Sequence, residues 1–140
     1  MIVVRASAPE DADRLLQIWR NAVDASHDFL SAEDRAAIDL LVADYVCTAE
    51  LTVVELDGEP VAFMGVTGKT VDSLFIDPGR QGLGLGRLLV DQVERPTLVD
   101  VNEQNALGLA FYRHLGFEVM GRSETDGDGR PYPLLHLLRS

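Results

Sequence analysis

DPGRQGLGLGRLLVDQVE, residues 77–94, carries glycine at Gly79, Gly82, Gly84 and Gly86, then Leu88, Leu89 and Val93 at helical spacing with Asp91, Gln92 and Glu94 facing away. A helix is expected to run to about Glu94. Glycine inside a helix costs about 1 kcal/mol relative to alanine, so three alternating glycines at a helix mouth need a reason. The preceding run, VDSLFID, reads as a strand that Asp77-Pro78-Gly79 stops. A strand, a glycine-rich turn and a helix start together make an anion site. The first turn of a helix offers unpaired N–H groups and a partial positive charge. Absent side chains let a phosphate approach that backbone.

Two familiar phosphate loops fail on spacing. Gly79-x4-Gly84 is followed by Leu85-Gly86 where a P-loop needs Lys and then Ser or Thr. The dinucleotide pattern Gly-x-Gly-x-x-Gly reaches Arg87 when counted from Gly82 and Leu89 when counted from Gly84. A purely structural turn is the remaining alternative.

Working outward, Ile2 to Arg5 is a short strand, and Ser7 with Glu10 has the spacing of a capping box before a helix over about 9–24. DASHDFLS breaks the helical period, and Ser31 starts a second helix with Ile38, Leu41, Val42 and Tyr45 on one face. LTVVELDGEPVAFMGVTG is a hairpin about Asp57-Gly58. TLVDV is a strand, Asn105 to Leu115 a helix closed by Gly116, and FEVMGRS with LLHLL a last hairpin around DGDG. The order β α α β β β α β α β β implies an α/β (α+β) fold with a mixed sheet.

The 140 residues suit a single domain, 1–140, with 46% hydrophobic and 25% charged residues. No run reaches the roughly 18 apolar residues of a membrane span, and the first residues lack the pattern of a signal peptide. Cys47 is the only cysteine, which excludes an internal disulfide and a cysteine-rich metal site. A cytoplasmic protein is expected, with no membrane partner. The net charge of -11 repels nucleic acid and attracts cationic small molecules or basic protein segments, although it also serves solubility. His27, His114 and His136 show no metal-ligand spacing, so no metal is expected.

Gln81, Gly84 and Gly86 form Gln-x-x-Gly-x-Gly after the strand SLFIDP. With VNEQNALGLAFYRHLGF, residues 101–117, this resembles the two acetyl-CoA motifs of the GCN5-related N-acetyltransferases (GNAT). The element order is similar over essentially the whole chain. VDASHDFLSAED, FIDP, VNEQN and GRPYPLL look like small stand-alone bacterial members of that family, which implies acetylation of peptidyl-lysine. One departure is Gly108, where the family often has Ala.

The resemblance implies a mixed, twisted sheet flanked by helices on both sides, and direct transfer from acetyl-CoA to an amine. It implies that Gln81, Gly82, Leu83, Gly84, Leu85, Gly86 and Arg87 hold the pyrophosphate, and that Leu74, Phe75 and Ile76 pair with the pantetheine arm. The N–H of Leu74 would then stabilise the oxyanion. Asn105 would bond the cofactor besides capping its helix, and Tyr112 would protonate the departing thiolate. Leu74 and Ile76 as plain core, and Tyr112 as a half-buried tyrosine, are the competing readings.

An alkyl ammonium must lose its proton before it attacks, at a cost of roughly 4–5 kcal/mol at pH 7. Asp72 shares a strand face with Leu74 and Ile76 and is the first candidate for base or cation holder. His27 is the second, in a loop that the resemblance sets over the acceptor cleft with Asp28, Phe29 and, more weakly, Tyr132. The acceptor is expected to be a cation: a protein lysine or, alternatively, a polyamine, amino sugar or amino acid. A non-catalytic acyl-CoA sensor is a further alternative that Tyr112 disfavours. Monomer or homodimer is left open.

Overall fold

A computed structural model describes residues 1–140. Its seven strands are β1 (Ile2–Ala6), β2 (Thr52–Leu56), β3 (Glu59–Thr67), β4 (Thr70–Ile76), β5 (Thr97–Asn102), β6 (Glu118–Ser123) and β7 (Leu134–Arg139). Four helices, α1 (Ala12–Ser26), α2 (Ala32–Thr48), α3 (Leu85–Val90) and α4 (Ala106–His114), fall between them in the expected order. The strands form one mixed sheet in the order β1-β2-β3-β4-β5-β7-β6, parallel at β4–β5. Two compact units divide the chain: Met1–Gly65 with Ser73–Val90, and Val66–Asp72 with Asp91–Ser140.

In the first unit, α1 and α2 lie on the sheet face that carries Val53 and Phe63, which are register partners on β2 and β3. Leu15, Ile18, Trp19 and Val23 of α1 supply the other side of that core. Each buried side chain of this size contributes about 1.5–3 kcal/mol. Val54, Ala62 and Met64 are buried on the opposite face, so the central strands are covered on both sides. The hairpin turns through Asp57 (φ 53°) and Gly58 (φ 85°), the left-handed pair such a two-residue loop requires. Ser31 caps α2 by accepting from the N–H of Asp34.

Three local expectations are corrected. Ser7 does not cap a helix: its hydroxyl accepts from the N–H of Leu51 at 3.1 Å, and its own N–H reaches the Leu51 carbonyl. The turn is held instead by Asp11, whose carboxylate takes the Ala8 N–H at 2.7 Å and pairs with Arg5. Leu41 is exposed, while Ile38, Val42 and Tyr45 pack on the core. The third helix ends at Val90 rather than near Glu94. Val93 is buried beyond it, so its spacing from Leu89 imitates a continuing helix.

In the second unit, β5 pairs antiparallel with β7 from Thr97–Arg139 to Asn102–Leu134, and α4 packs against β5. Val99, Val101 and Leu137 are buried, whereas Leu98 and Asp100 alternate to the exposed side. Gly116 (φ 97°) closes α4, donating its N–H to the Arg113 carbonyl.

Candidate active site

The glycine stretch is built by its backbone. Gly82 (φ 83°) and Gly84 (φ 76°) stand before the helix in the left-handed region, and a Cβ on either would meet only open space. Backbone conformation, not crowding within the chain, is what demands glycine there. Gly86 alone lies inside α3, where it is buried. The turn is anchored from below. Arg14 donates to the Pro60 carbonyl at 3.0 Å and to the Asp77 carboxylate at 2.9 Å, and the Asp77 N–H reaches the Val61 carbonyl at 2.8 Å. Gln81, Gly82, Leu83 and Arg87 are exposed, while Leu85 and Leu89 root the helix in the core. The N–H groups of Leu85, Gly86 and Arg87 belong to a first helical turn, which supplies no partners for them.

The strand leading into this turn is open along one edge. The parallel β4–β5 ladder comprises Thr70–Leu98 and Val71–Val99 only. Beyond Val71, no ladder pair joins Ser73 to Ile76 to β5. Phe75 anchors the strand by stacking on Phe63 at 5.7 Å within the α1–α2 core. Leu74 and Ile76 are half-buried on the opposite face from Phe75. The Ser73 hydroxyl accepts the Gly65 N–H at 3.0 Å and meets the Tyr45 hydroxyl at 2.8 Å.

His27 follows α1. Its Nδ1 lies 2.7 Å from the Ser26 hydroxyl, and that hydroxyl donates to the Ala22 carbonyl at 2.8 Å. The Ser26 proton is therefore spent, so neutral His27 donates from Nδ1 and keeps its lone pair on Nε2. Burial pushes the imidazole below its ordinary 6.5, which keeps it neutral at pH 7. Phe29 packs against the ring at 5.2 Å; Asp28 is exposed.

Four expected residues belong to the second unit. Asp72 is exposed, and its carboxylate takes a hydrogen bond from the Thr67 hydroxyl. Asn105 caps α4 by accepting the Gly108 N–H at 3.0 Å. Tyr112 is buried to 8% exposure, with its ring edge-on to Phe111 at 5.0 Å and to Phe117 at 5.3 Å. Burial pushes its phenol well above the ordinary 10, so the hydroxyl stays protonated throughout the neutral range. Tyr132 is buried too.

Sequence reading missed the supporting groups. Ser26 beside His27 was a readable signal, because a serine in the last turn of a helix commonly bonds back to the carbonyl four residues earlier. Thr67 and Ser73 gave none, since each meets its partner across a strand connection. Cys47 is exposed on α2, no group of three or more His, Cys, Asp or Glu could hold a metal ion, and no helix is long and apolar enough to cross a membrane.

An interrupted parallel ladder thus leads into a left-handed glycine turn. A family model described as an acetyltransferase (GNAT) domain matches residues 47–119, and the chain belongs to the GNAT family of acetyltransferases. It is similar to the peptidyl-lysine N-acetyltransferase YjaB of Salmonella typhimurium, with 48% identity over 99% of this chain and 98% of that one. The YjaB of Escherichia coli K12 is 46% identical over 98% of this chain and 96% of that one. The solution structure of apo-form YjaB from Escherichia coli superimposes with a TM-score of 0.94, covering 99% of this chain and 97% of that one at 44% identity.

Proposed function

We propose that the chain, as one catalytic domain over residues 1–140, transfers the acetyl group of acetyl-CoA to the side-chain amine of lysine in a protein or peptide, in the cytoplasm. The observation that carries the choice of acceptor is the full-length similarity to two relatives named peptidyl-lysine N-acetyltransferase. The net charge of -11 favours a basic protein segment as partner.

The reading of the donor side rests on the β4 edge and the glycine turn. Pyrophosphate is held by the N–H groups from Gly82 to Arg87, with Gln81 at the turn's entry. The pantetheine amides pair with Leu74, Phe75 and Ile76, and the Leu74 N–H faces the thioester oxygen. Asn105 adds a polar contact to the cofactor. A thiolate leaves at a cost of only about 2 kcal/mol more than a thiol at pH 7, and Tyr112, held protonated by burial, supplies that proton.

The acceptor side divides between two groups. Asp72 is an exposed carboxylate with a fixed hydroxyl donor and suits holding the ammonium head. His27, neutral with its lone pair on Nε2, suits taking the proton. Asp28 and Phe29 line the same acceptor segment. The test is acetyl-CoA turnover over a panel of lysine peptides, polyamines and amino acids, by parent and Tyr112→Phe. Lysine peptides are expected to give the highest kcat/KM. Tyr112→Phe is expected to bind acetyl-CoA as the parent does and to lose about 10²-fold in rate. A polyamine outrunning every peptide would replace the acceptor assignment.

A further inference from the structure

Ser123, His136 and Asp100 form a relay across three adjacent strands of the second unit. The Ser123 hydroxyl lies 2.7 Å from His136 Nε2, and His136 Nδ1 lies 2.6 Å from Asp100 Oδ1. A carboxylate only accepts, so the tautomer that fits both contacts donates from Nδ1 to Asp100 and leaves Nε2 to accept from the Ser123 hydroxyl. This is the order of groups that activates a serine nucleophile: hydroxyl, base, and a carboxylate that fixes the base.

The sheet explains how the three meet. Asp100 and His136 are register partners on β5 and β7. Gly121 is the partner of His136 on β6, and a Cβ there would stand 3.5 Å from His136 Cδ2, so glycine leaves the ring its place. A register shift between Val119 and Gly121 re-aims the end of β6, where Ser123 lies. The cluster is accessible: the His136 side chain is 39% exposed and that of Asp100 55%. Exposed Leu98 and half-buried Leu138 are the next pair on this face, on the side of His136 away from Ser123.

We propose that Ser123 is the nucleophile of a second site, which hydrolyses small activated acyl esters and thioesters. The Ser123 oxygen attacks the acyl carbonyl carbon while its proton passes to His136 Nε2. The bond to the leaving oxygen or sulfur breaks, and the leaving group takes that proton, so acyl-Ser123 remains. Water then attacks the acyl-enzyme, giving its proton to His136. The serine oxygen leaves with that proton, and a free carboxylic acid departs. The open face leaves the carbonyl oxygen in water, so the expected acceleration is that of nucleophile and base alone, roughly 10²–10⁴-fold over buffer.

The experiment uses the full chain with p-nitrophenyl acetate and a fluorophosphonate probe, followed by peptide mass spectrometry. A covalent adduct on Ser123 is expected with both reagents. Ester hydrolysis is expected to vanish in Ser123→Ala and to fall at least about tenfold in Asp100→Asn. Ser123→Ala is expected to keep the parent's near-ultraviolet circular dichroism and its rate of amine acetylation. An unlabelled Ser123 in the parent protein, or undiminished hydrolysis by folded Ser123→Ala, overturns the proposal.

Discussion

The Tyr45 hydroxyl meets the Ser73 hydroxyl at 2.8 Å, tying α2 to the strand whose next residues form the open edge. The contact passes over Gly65, where a Cβ would collide with the Tyr45 oxygen. Gly65→Ala is therefore expected to cost about 1–3 kcal/mol through overpacking. Tyr45→Phe removes one hydrogen bond while Ser73 keeps the Gly65 N–H, and is expected to cost about 1 kcal/mol. Because the phenylalanine also vacates the colliding position, the double variant should be more stable than the two single costs add up to. Urea unfolding of the four proteins measures this, and strict additivity would show that the hydroxyl does not crowd position 65.

The cap of α4 is similarly exclusive. A Cβ on Gly108 would overlap the Asn105 amide nitrogen, so alanine there has to displace the Asn105 side chain. Gly108→Ala gains about 1 kcal/mol of helix propensity and loses about 1 kcal/mol of cap, leaving stability nearly unchanged. If Asn105 bonds the cofactor, acetyl-CoA affinity falls although the fold does not change. Calorimetric titration decides it: a variant with both parent stability and parent affinity removes Asn105 from the cofactor site.

The readable part of this chain was the part fixed by near neighbours. Asp57-Gly58, Ser31 and Gly116 each carry their conformation in their own side chain or its absence, so turns, cap and element order followed. Ser7 failed because its partner, Leu51, is distant in sequence and competes with the local cap. The length of α3 failed because Val93 is buried by a turn while keeping a helical interval from Leu89. The sequence marked the glycines of the turn as exceptional for a helix start. Their left-handed φ at Gly82 and Gly84, as opposed to a helical one, was not legible. The tautomer of His27 depends on where the Ser26 proton goes, which only coordinates show.

Acid should loosen the α1–α2 pair. Arg20 forks onto both oxygens of Asp39 at 2.8 and 2.9 Å, and Arg35 adds a third bond at 2.8 Å. Hydrogen bonding to Arg20 first, and then to Arg35, holds the Asp39 carboxyl at about 2, below its ordinary 3.8. The unfolded chain therefore binds the proton first as pH drops. The stabilisation is complete above about pH 4 and is lost as pH falls through 2. Discounted for solvent, it is on the order of 1–2 kcal/mol. In urea titrations, Asp39→Asn is expected to be less stable than the parent at pH 7, with the gap closing between about pH 4 and pH 2. A gap that stays constant over that range would assign the effect to packing.

Kinetics can separate the roles proposed for His27 and Asp72. Presenting a free amine at pH 7 costs roughly 4–5 kcal/mol, so removing the proton acceptor should show as a rate effect. His27→Gln is expected to lower kcat at neutral pH by about 10²-fold, with little change in peptide KM. Its rate should climb as pH rises, because solvent then supplies free amine without help. In the parent, burial sets the His27 value below 6.5, so neutral imidazole persists above that pH and activity declines only on the acid side. Asp72→Asn should act differently. It keeps the shape and the Thr67 contact, and loses the charge that holds the ammonium. Peptide KM is expected to rise up to about tenfold with kcat and the pH profile retained. Steady-state kinetics from about pH 6 to pH 10 on both variants separate the roles. A KM effect in His27→Gln and a pH-rescued kcat effect in Asp72→Asn would exchange them, and two variants indistinguishable from the parent would place proton removal on water.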